Sequence, residues 1–302
     1  MESFTGDREP AILHVWRSQT AYERQKGRPY AGEFTNISFS ALPRASQGPV
    51  RQFDIRKRHP FPDDTFDAIH SNHVVEHLTV EETGSYLAET QRVLKPGGIF
   101  RLAVPDLESK CREYILRLEG FLAEPSDPNR LRYEWAVLDL LDQLVRERPG
   151  GQMQKTLDRG EFDPDQVRHL TGDAYRRVLE RHFPRARPDD TADAPVTTGG
   201  PPKRPWLDWP LAVMRKARVA LHRNDPRYTG EAHKWLWDRV SLQLLLAEHG
   251  FIDYRTCTYN ESAIPGWEQY DLNTSEYGDY PQEPSVYVEG RKPPGSRPAN
   301  AR

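Results

Sequence analysis

The stretch from Phe66 to Leu107, FDAIHSNHVVEHLTVEETGSYLAETQRVLKPGGIFRLAVPDL, constrains the fold of this chain more than any other. Its start, Phe66 to Ser71, reads as a buried strand. A helix follows. Thr79 stands three residues before Glu82, the capping-box spacing, in which two side chains satisfy orphan N–H groups at a helix start. Val80, Leu87 and Leu94 recur every seven residues, with Tyr86, Thr90 and Val93 beside them, and make one apolar stripe. Pro96 and Gly97-Gly98 are expected to end the helix, and Ile99 to Val104 is short and apolar enough for a second buried strand. A strand–helix–strand unit this tight is expected to be parallel and right-handed, with ligands at the carboxyl ends of its strands.

The flanks extend this unit. Ala11 to Trp16 (AILHVW) is a plausible first strand, and Val50 to Ile55 a weaker one ending at Asp54. Pro60-Phe61-Pro62-Asp63-Asp64 is a turn by its chemistry, since proline fixes φ and aspartate bonds back to the backbone. From Glu108 to about His182 the pattern is helical and charged, with Leu138, Leu141 and Leu144 as a stripe running to Pro149-Gly150-Gly151. Pro184 to Pro205 has the composition of a linker. Ser241 can cap a helix through Leu242, Leu245 and Leu246, stopped by Gly250. Phe251 to Tyr259 and Ser285 to Glu289 are strands with no crossover helix between them, so they should pair antiparallel. The segments are 1–108 for the first part of the core, 109–183 for a helical insertion and 184–227 for the linker. Residues 228–293 complete the core, and 294–302 form a disordered tail.

Composition excludes several classes. The 302 residues suffice for a full core, and a net charge of −3 gives no global pull toward nucleic acid. Two cysteines, Cys111 and Cys257, are too few for a disulfide framework and suit a reducing compartment. No apolar run approaches the roughly 18–20 residues of a membrane span, and the N-terminus lacks the pattern of a signal peptide. The expectation is a cytoplasmic protein.

The run FPDDTFDAIHSNHVVEHL…ETQRVLKPGGIFRLAVPDL resembles the central half of class I S-adenosylmethionine-dependent methyltransferases. Within them it is most similar to a bacterial group found among surface-polysaccharide genes. The likeness extends to LLDQLVRERPGGQM (Leu140 to Met153) and HKWLWDRVSLQLLLAEHGF (His233 to Phe251). It implies a Rossmann-like, doubly wound, mostly parallel α/β sheet with a C-terminal antiparallel hairpin and a helical insertion. It also implies S-adenosylmethionine as cofactor and a small polar or sugar acceptor, with the insertion and the His233–Trp237 segment shaping the acceptor site. Such chemistry needs alignment of a nucleophile with an already activated methyl, plus a base where the acceptor carries a proton.

Carried over residue by residue, Asp54 and Ile55 stand where the family contacts the adenine; a turn-capping Asp54 is the competing reading. Ser71, Asn72 and His73 close the strand that lines the methyl-transfer site, although His73 also reads as an ordinary polar strand end. Glu76-His77 matches the family's E-H pair, with His77 either a ligand contact or part of the helix entry. Asp106 faces the cleft by position, with helix capping as its competitor.

The cofactor half departs from the family. After AILHV comes Trp16-Arg17-Ser18-Gln19-Thr20, with no glycine until Gly27, where a turn free to adopt φ > 0 is wanted. Ser38 stands at the position of the ribose-binding acid and lacks the charge-assisted acceptor of a carboxylate. Three readings compete: substituted cofactor contacts, a non-catalytic scaffold or partner-binding protein, or a segment from about Val15 to Pro49 outside the native reading frame.

Two further features carry their own alternatives. His59, His70, His73 and His77 fit no zinc signature, and no metal is expected. Pro205 to Arg223 combines Trp206 and Trp209 with Arg215, Lys216, Arg218 and Arg223, and either lies on an anionic inner-membrane surface or packs on the domain with its basic face solvated. The oligomeric state is left open.

Overall fold

In the computed structural model, the described residues are 11–16, 34–37, 53–159, 232–269 and 285–295. They build a six-stranded sheet in the order β2-β1-β3-β4-β6-β5. The strands are β1 Ile12–Trp16, β2 Phe34–Ile37, β3 Phe66–Asn72, β4 Leu94–Pro105, β5 Ile252–Cys257 and β6 Ser285–Arg291. The first four pair parallel, whereas β6 runs antiparallel to both β4 and β5. This is the expected Rossmann-like α/β sheet with a C-terminal antiparallel hairpin. From β1 the chain order runs one way to β2 and the other way to β3, so the switch point lies between the carboxyl ends of β1 and β3. In that register Trp16 pairs with Asn72, and Asn72 with Ala103.

The helix α1 (Val80–Val93) forms where the sequence places it, and both halves of the Thr79–Glu82 capping box are made. Its buried face, with Tyr86, Leu87 and Val93, packs on Leu13, Val15, Ile69, Phe100, Leu102 and Val104. A helix near the C-terminus, Arg239–Glu248, adds Leu242, Leu245 and Leu246 to the same core. Each such side chain removed from water contributes about 1.5–3 kcal/mol. On the opposite face, Ile12, Ala68 and Ile99 are covered by Ile264 and Trp267 of the loop after β5.

Between β4 and that late helix lie three more, α2 (Leu107–Ala123), α3 (Asp127–Val145) and α4 (Gly151–Asp158); Arg239–Glu248 is α5. The three occupy residues 107–158, and among the described residues no helix is long and apolar enough to cross a membrane.

Several expectations are corrected. Phe53 and Asp54 are irregular and Ile55 lies in a turn, so the described end of Val50–Ile55 is not a strand. Helix α1 ends at Val93, and Lys95-Pro96-Gly97-Gly98 belongs to β4. The reason is local: proline disfavours helical backbone in the residue before it, and Leu94 is already extended. In α3 the buried residues are Trp135, Ala136 and Asp142, while Leu141 is exposed. Asp238, not Ser241, caps α5, with Ser241 at the third helical position completing the box. Ser38, the linker, the 205–223 segment and the tail after 295 lie outside the described residues.

Candidate functional site

The carboxyl end of β3 breaks sharply. His73 donates its N–H to the Ala103 carbonyl at 2.9 Å, then turns through a left-handed conformation with φ 51°. That conformation costs a non-glycine residue about 1–2 kcal/mol. A short 3-10 turn, Val75–His77, follows and leads into Thr79 and α1. The turn sends Glu76 and His77 inward, with 1% and 6% of each residue exposed.

The His73 ring is held at both nitrogens. Nε2 lies 3.0 Å from the Ser285 hydroxyl at the start of β6, and Nδ1 lies 3.4 Å from Glu76 Oε1. His77 Nδ1 lies 3.1 Å from the Ala232 carbonyl, and Nε2 lies 3.5 Å from the same Glu76 oxygen. The His233 ring meets His77 edge to face, with centroids 4.7 Å apart. The Lys234 and Trp235 N–H groups donate to the Glu76 carbonyl at 2.7 and 3.2 Å, which ties this late segment onto the turn.

A second polar chain runs along the same end of the sheet. Asp54 accepts from Arg56 at its backbone N–H, Nε and Nη2, and the Arg56 guanidinium holds its carboxyl below the usual carboxylate range. Arg56 also reaches Glu82 in the first turn of α1, and Lys234 Nζ reaches Glu82 at 2.8 Å. Burial pushes the Glu82 carboxyl up, but hydrogen bonds from Lys234, the Thr79 N–H and Arg56 outweigh it and hold the group low. Glu82 therefore joins the Asp54 turn to the His233 segment.

The residues singled out from the sequence fall into distinct places. His73 and His77 come together around Glu76. Asn72, 5% exposed, closes β3 at the switch point. Ser71 is fully buried beside the Tyr86 phenol, whose pKa burial pushes up to about 12. Ile55 lies in the apolar core. Asp106 caps α2, with Oδ1 accepting from the Glu108 N–H at 3.0 Å, and Leu107 donates to the Trp237 carbonyl. Asp54 has the turn geometry of its competing reading, with Lys57 N–H closing on its carbonyl. The sequence names Glu76 only within the E-H pair and His233 only as the start of the acceptor-site segment; that their side chains meet around His77 is seen in the structure alone.

An S-adenosylmethionine molecule at the switch point would meet the Asn72 amide at the end of β3. An Asp54 contact would have to share a carboxylate that already takes three Arg56 donors. Among the described residues, the donor and acceptor chemistry at the switch point is thus the Asn72 amide and, beside α1, the Asp54–Arg56 pair.

The family model for a methyltransferase domain matches residues 28–102, which span β2, β3, α1 and most of β4. The match takes in residues 28–49 of the segment whose reading frame the sequence puts in question. No curated protein sequence matches. Among solved structures, the CurJ carbon methyltransferase is 14% identical with a TM-score of 0.40, covering 97% of this chain and 51% of its own. The chain thus spans about half the length of that protein. A possible histamine N-methyltransferase from Thermotoga maritima is 10% identical at a TM-score of 0.39, covering 94% and 83%. A phosphoethanolamine N-methyltransferase from Haemonchus contortus, in complex with phosphomonomethylethanolamine and S-adenosylhomocysteine, is 10% identical at 0.39, covering 96% and 50%. By its own strand order the chain is a Rossmann-like α/β protein, and its residues 28–102 match a methyltransferase domain.

Proposed function

We propose that the chain is an S-adenosylmethionine-dependent methyltransferase acting on a small polar acceptor, with a sugar as the class implied by its resemblance. The observation that carries this reading is the match of residues 28–102, whose strand β3 forms one side of the β1/β3 switch point, the place where this topology binds ligands.

The bound sulfonium supplies an electrophilic methyl group. The chain's own residues supply position and a proton acceptor. The Asn72 amide orients the cofactor at the end of β3. His73, with 23% of its side chain exposed and its ring fixed by Ser285, presents an imidazole at the mouth of the site. An imidazole so placed can take the proton of an acceptor hydroxyl as its oxygen attacks. The Asp54–Arg56 pair and Lys234, joined through Glu82, form the polar rim beside it.

Isothermal titration of the full chain with S-adenosylmethionine and S-adenosylhomocysteine tests the reading. Saturable micromolar binding supports it. No heat of binding at millimolar cofactor overturns it.

A further inference from the structure

The carboxylate of Glu76 is buried, and among the described residues neither of its oxygens accepts a hydrogen bond. Burying an ionised carboxylate without hydrogen bonds is costly, and the nearest potential donors are imidazole nitrogens, His73 Nδ1 at 3.4 Å and His77 Nε2 at 3.5 Å. Around it stand the rings of His77 and His233, and one ligand atom from each of Glu76, His77 and His233 lies within 4.8 Å of the other two.

The tautomer of His77 sharpens the problem. The Ala232 carbonyl can only accept, so the Nδ1 atom 3.1 Å from it carries the ring proton. Nε2 then turns its lone pair toward Glu76 Oε1, 3.5 Å away. Two electron-rich atoms face each other across a gap that is too long for a hydrogen bond and calls for a positive charge. Ligands bound about 2.1 Å from one tetrahedral ion stand about 3.4 Å apart, the edge of the tetrahedron. A backbone carbonyl on the far nitrogen is also the usual device that fixes a metal-binding histidine.

We propose that Glu76, His77 and His233 bind a divalent d-block cation, with zinc the ion best suited to two imidazoles and one carboxylate. Three protein ligands leave a coordination position, as in sites that act on substrate rather than in sites that only hold a fold together. His73 Nδ1 approaches the same Glu76 oxygen as His77 Nε2, at 3.4 Å. Resting on the methyl-transfer reading above, the ion's role is to bind an acceptor oxygen and lower its pKa beside His73. Ion binding itself does not depend on that reading.

The test uses the full chain, stripped with a chelator and titrated with Zn²⁺ and Co²⁺. One equivalent is expected to bind, with a Co²⁺ visible spectrum of low coordination number. Glu76→Gln and His233→Ala should each weaken binding by about a hundredfold or more, since even outer-shell changes cost 10- to 100-fold. His249→Ala, at the far end of α5, should bind as wild type does. X-ray absorption at the zinc edge of the unmodified protein gives a readout that needs no variant: nitrogen and oxygen ligands near 2.0–2.1 Å, two of them imidazole. Folded wild type that takes up no stoichiometric ion, or affinities unchanged in Glu76→Gln and His233→Ala, would overturn the proposal. Metal binding without any S-adenosylmethionine binding supports the ion site and removes only its assignment to methyl transfer.

Discussion

The Arg101 guanidinium lies 3.0 Å from the Glu289 carboxylate across the β4–β6 pair, with 0% and 3% of the two side chains exposed. Arg101 also donates to the carbonyls of Thr258, Tyr259 and Glu261, and it lies over the Trp267 ring at 4.3 Å. Burial pushes the Glu289 carboxyl up, but donors from Ser262 and the Ala263 N–H, with the Arg101 charge, hold it below the usual range. This network fixes the loop that covers the second face of the sheet.

Removing one partner should be costly. Arg101→Ala leaves the Glu289 carboxylate buried beside a cavity, and about 3–5 kcal/mol of unfolding free energy should be lost. Urea denaturation measures the loss. Tryptophan emission should shift to the red as the cover over Trp267 loosens, and an unchanged denaturation midpoint would refute the assignment.

Acid should weaken the protein through His59. Burial depresses its pKa below the ordinary 6.5, and Nε2 is committed to the Ile55 carbonyl at 3.1 Å. Below about pH 6.5 the unfolded chain takes up a proton that the native state refuses, so stability falls as pH drops toward the depressed native pKa. Denaturation series at pH 8 and pH 5.5 should show this loss in wild type and a smaller one in His59→Gln. Glu289 adds a loss of its own, in a more acidic window. Its depressed native pKa makes its contribution complete above about 4.5 and lost as pH falls through the native value.

Gly151 adopts φ 60°, and a Cβ there would collide with the Asp142 carboxylate, which is paired with Arg146. Gly151→Ala should therefore disrupt the turn between α3 and α4. A drop of several degrees in Tm is expected, measured by thermal melting, with cofactor titration as the check that the sheet end is intact.

Asn72 and Asp106 should separate binding from capping. Asn72→Ala is expected to weaken S-adenosylmethionine binding about tenfold with little change in stability. Asp106→Ala should cost about 1 kcal/mol of stability, the usual worth of a helix cap, and leave cofactor affinity within twofold. Paired titrations and melts of the two variants decide this, and the reverse pattern would exchange their roles.

The βαβ unit was legible because each of its signals is local: capping residues three apart, an apolar stripe and short buried runs. The β5–β6 pairing followed from the absence of a crossover. Local signals also misled. Leucines spaced by three drift about 60° at each step, so Leu138, Leu141 and Leu144 spread over an arc in which Leu141 is exposed, whereas Trp135 and Asp142, two turns apart, align on the buried side. Ser241 suits a cap by residue type, but Leu244 three residues on cannot close a box with it, whereas Asp238 and Ser241 close one with each other. The Glu76-His77 pair and the His233 segment were each legible by resemblance, but their meeting was not. The cluster's closing segment begins at Ala232, 155 positions beyond His77, and nothing between them sets that distance in space. His233 carries no spacing signal of its own.

Strand β6 is the last strand of the described chain, yet it lies between β4 and β5. As the polypeptide leaves the ribosome, β5 emerges with no neighbour to receive it, and the edge of β4 stands open. Only when Ser285–Arg291 arrives can the sheet close, bringing Glu289 to Arg101 and Ser285 to His73 in a single zippering step. Assembly of the covering loop and of the imidazole at the site mouth is thereby deferred until β6 has emerged, which makes that strand the latch on everything placed before it.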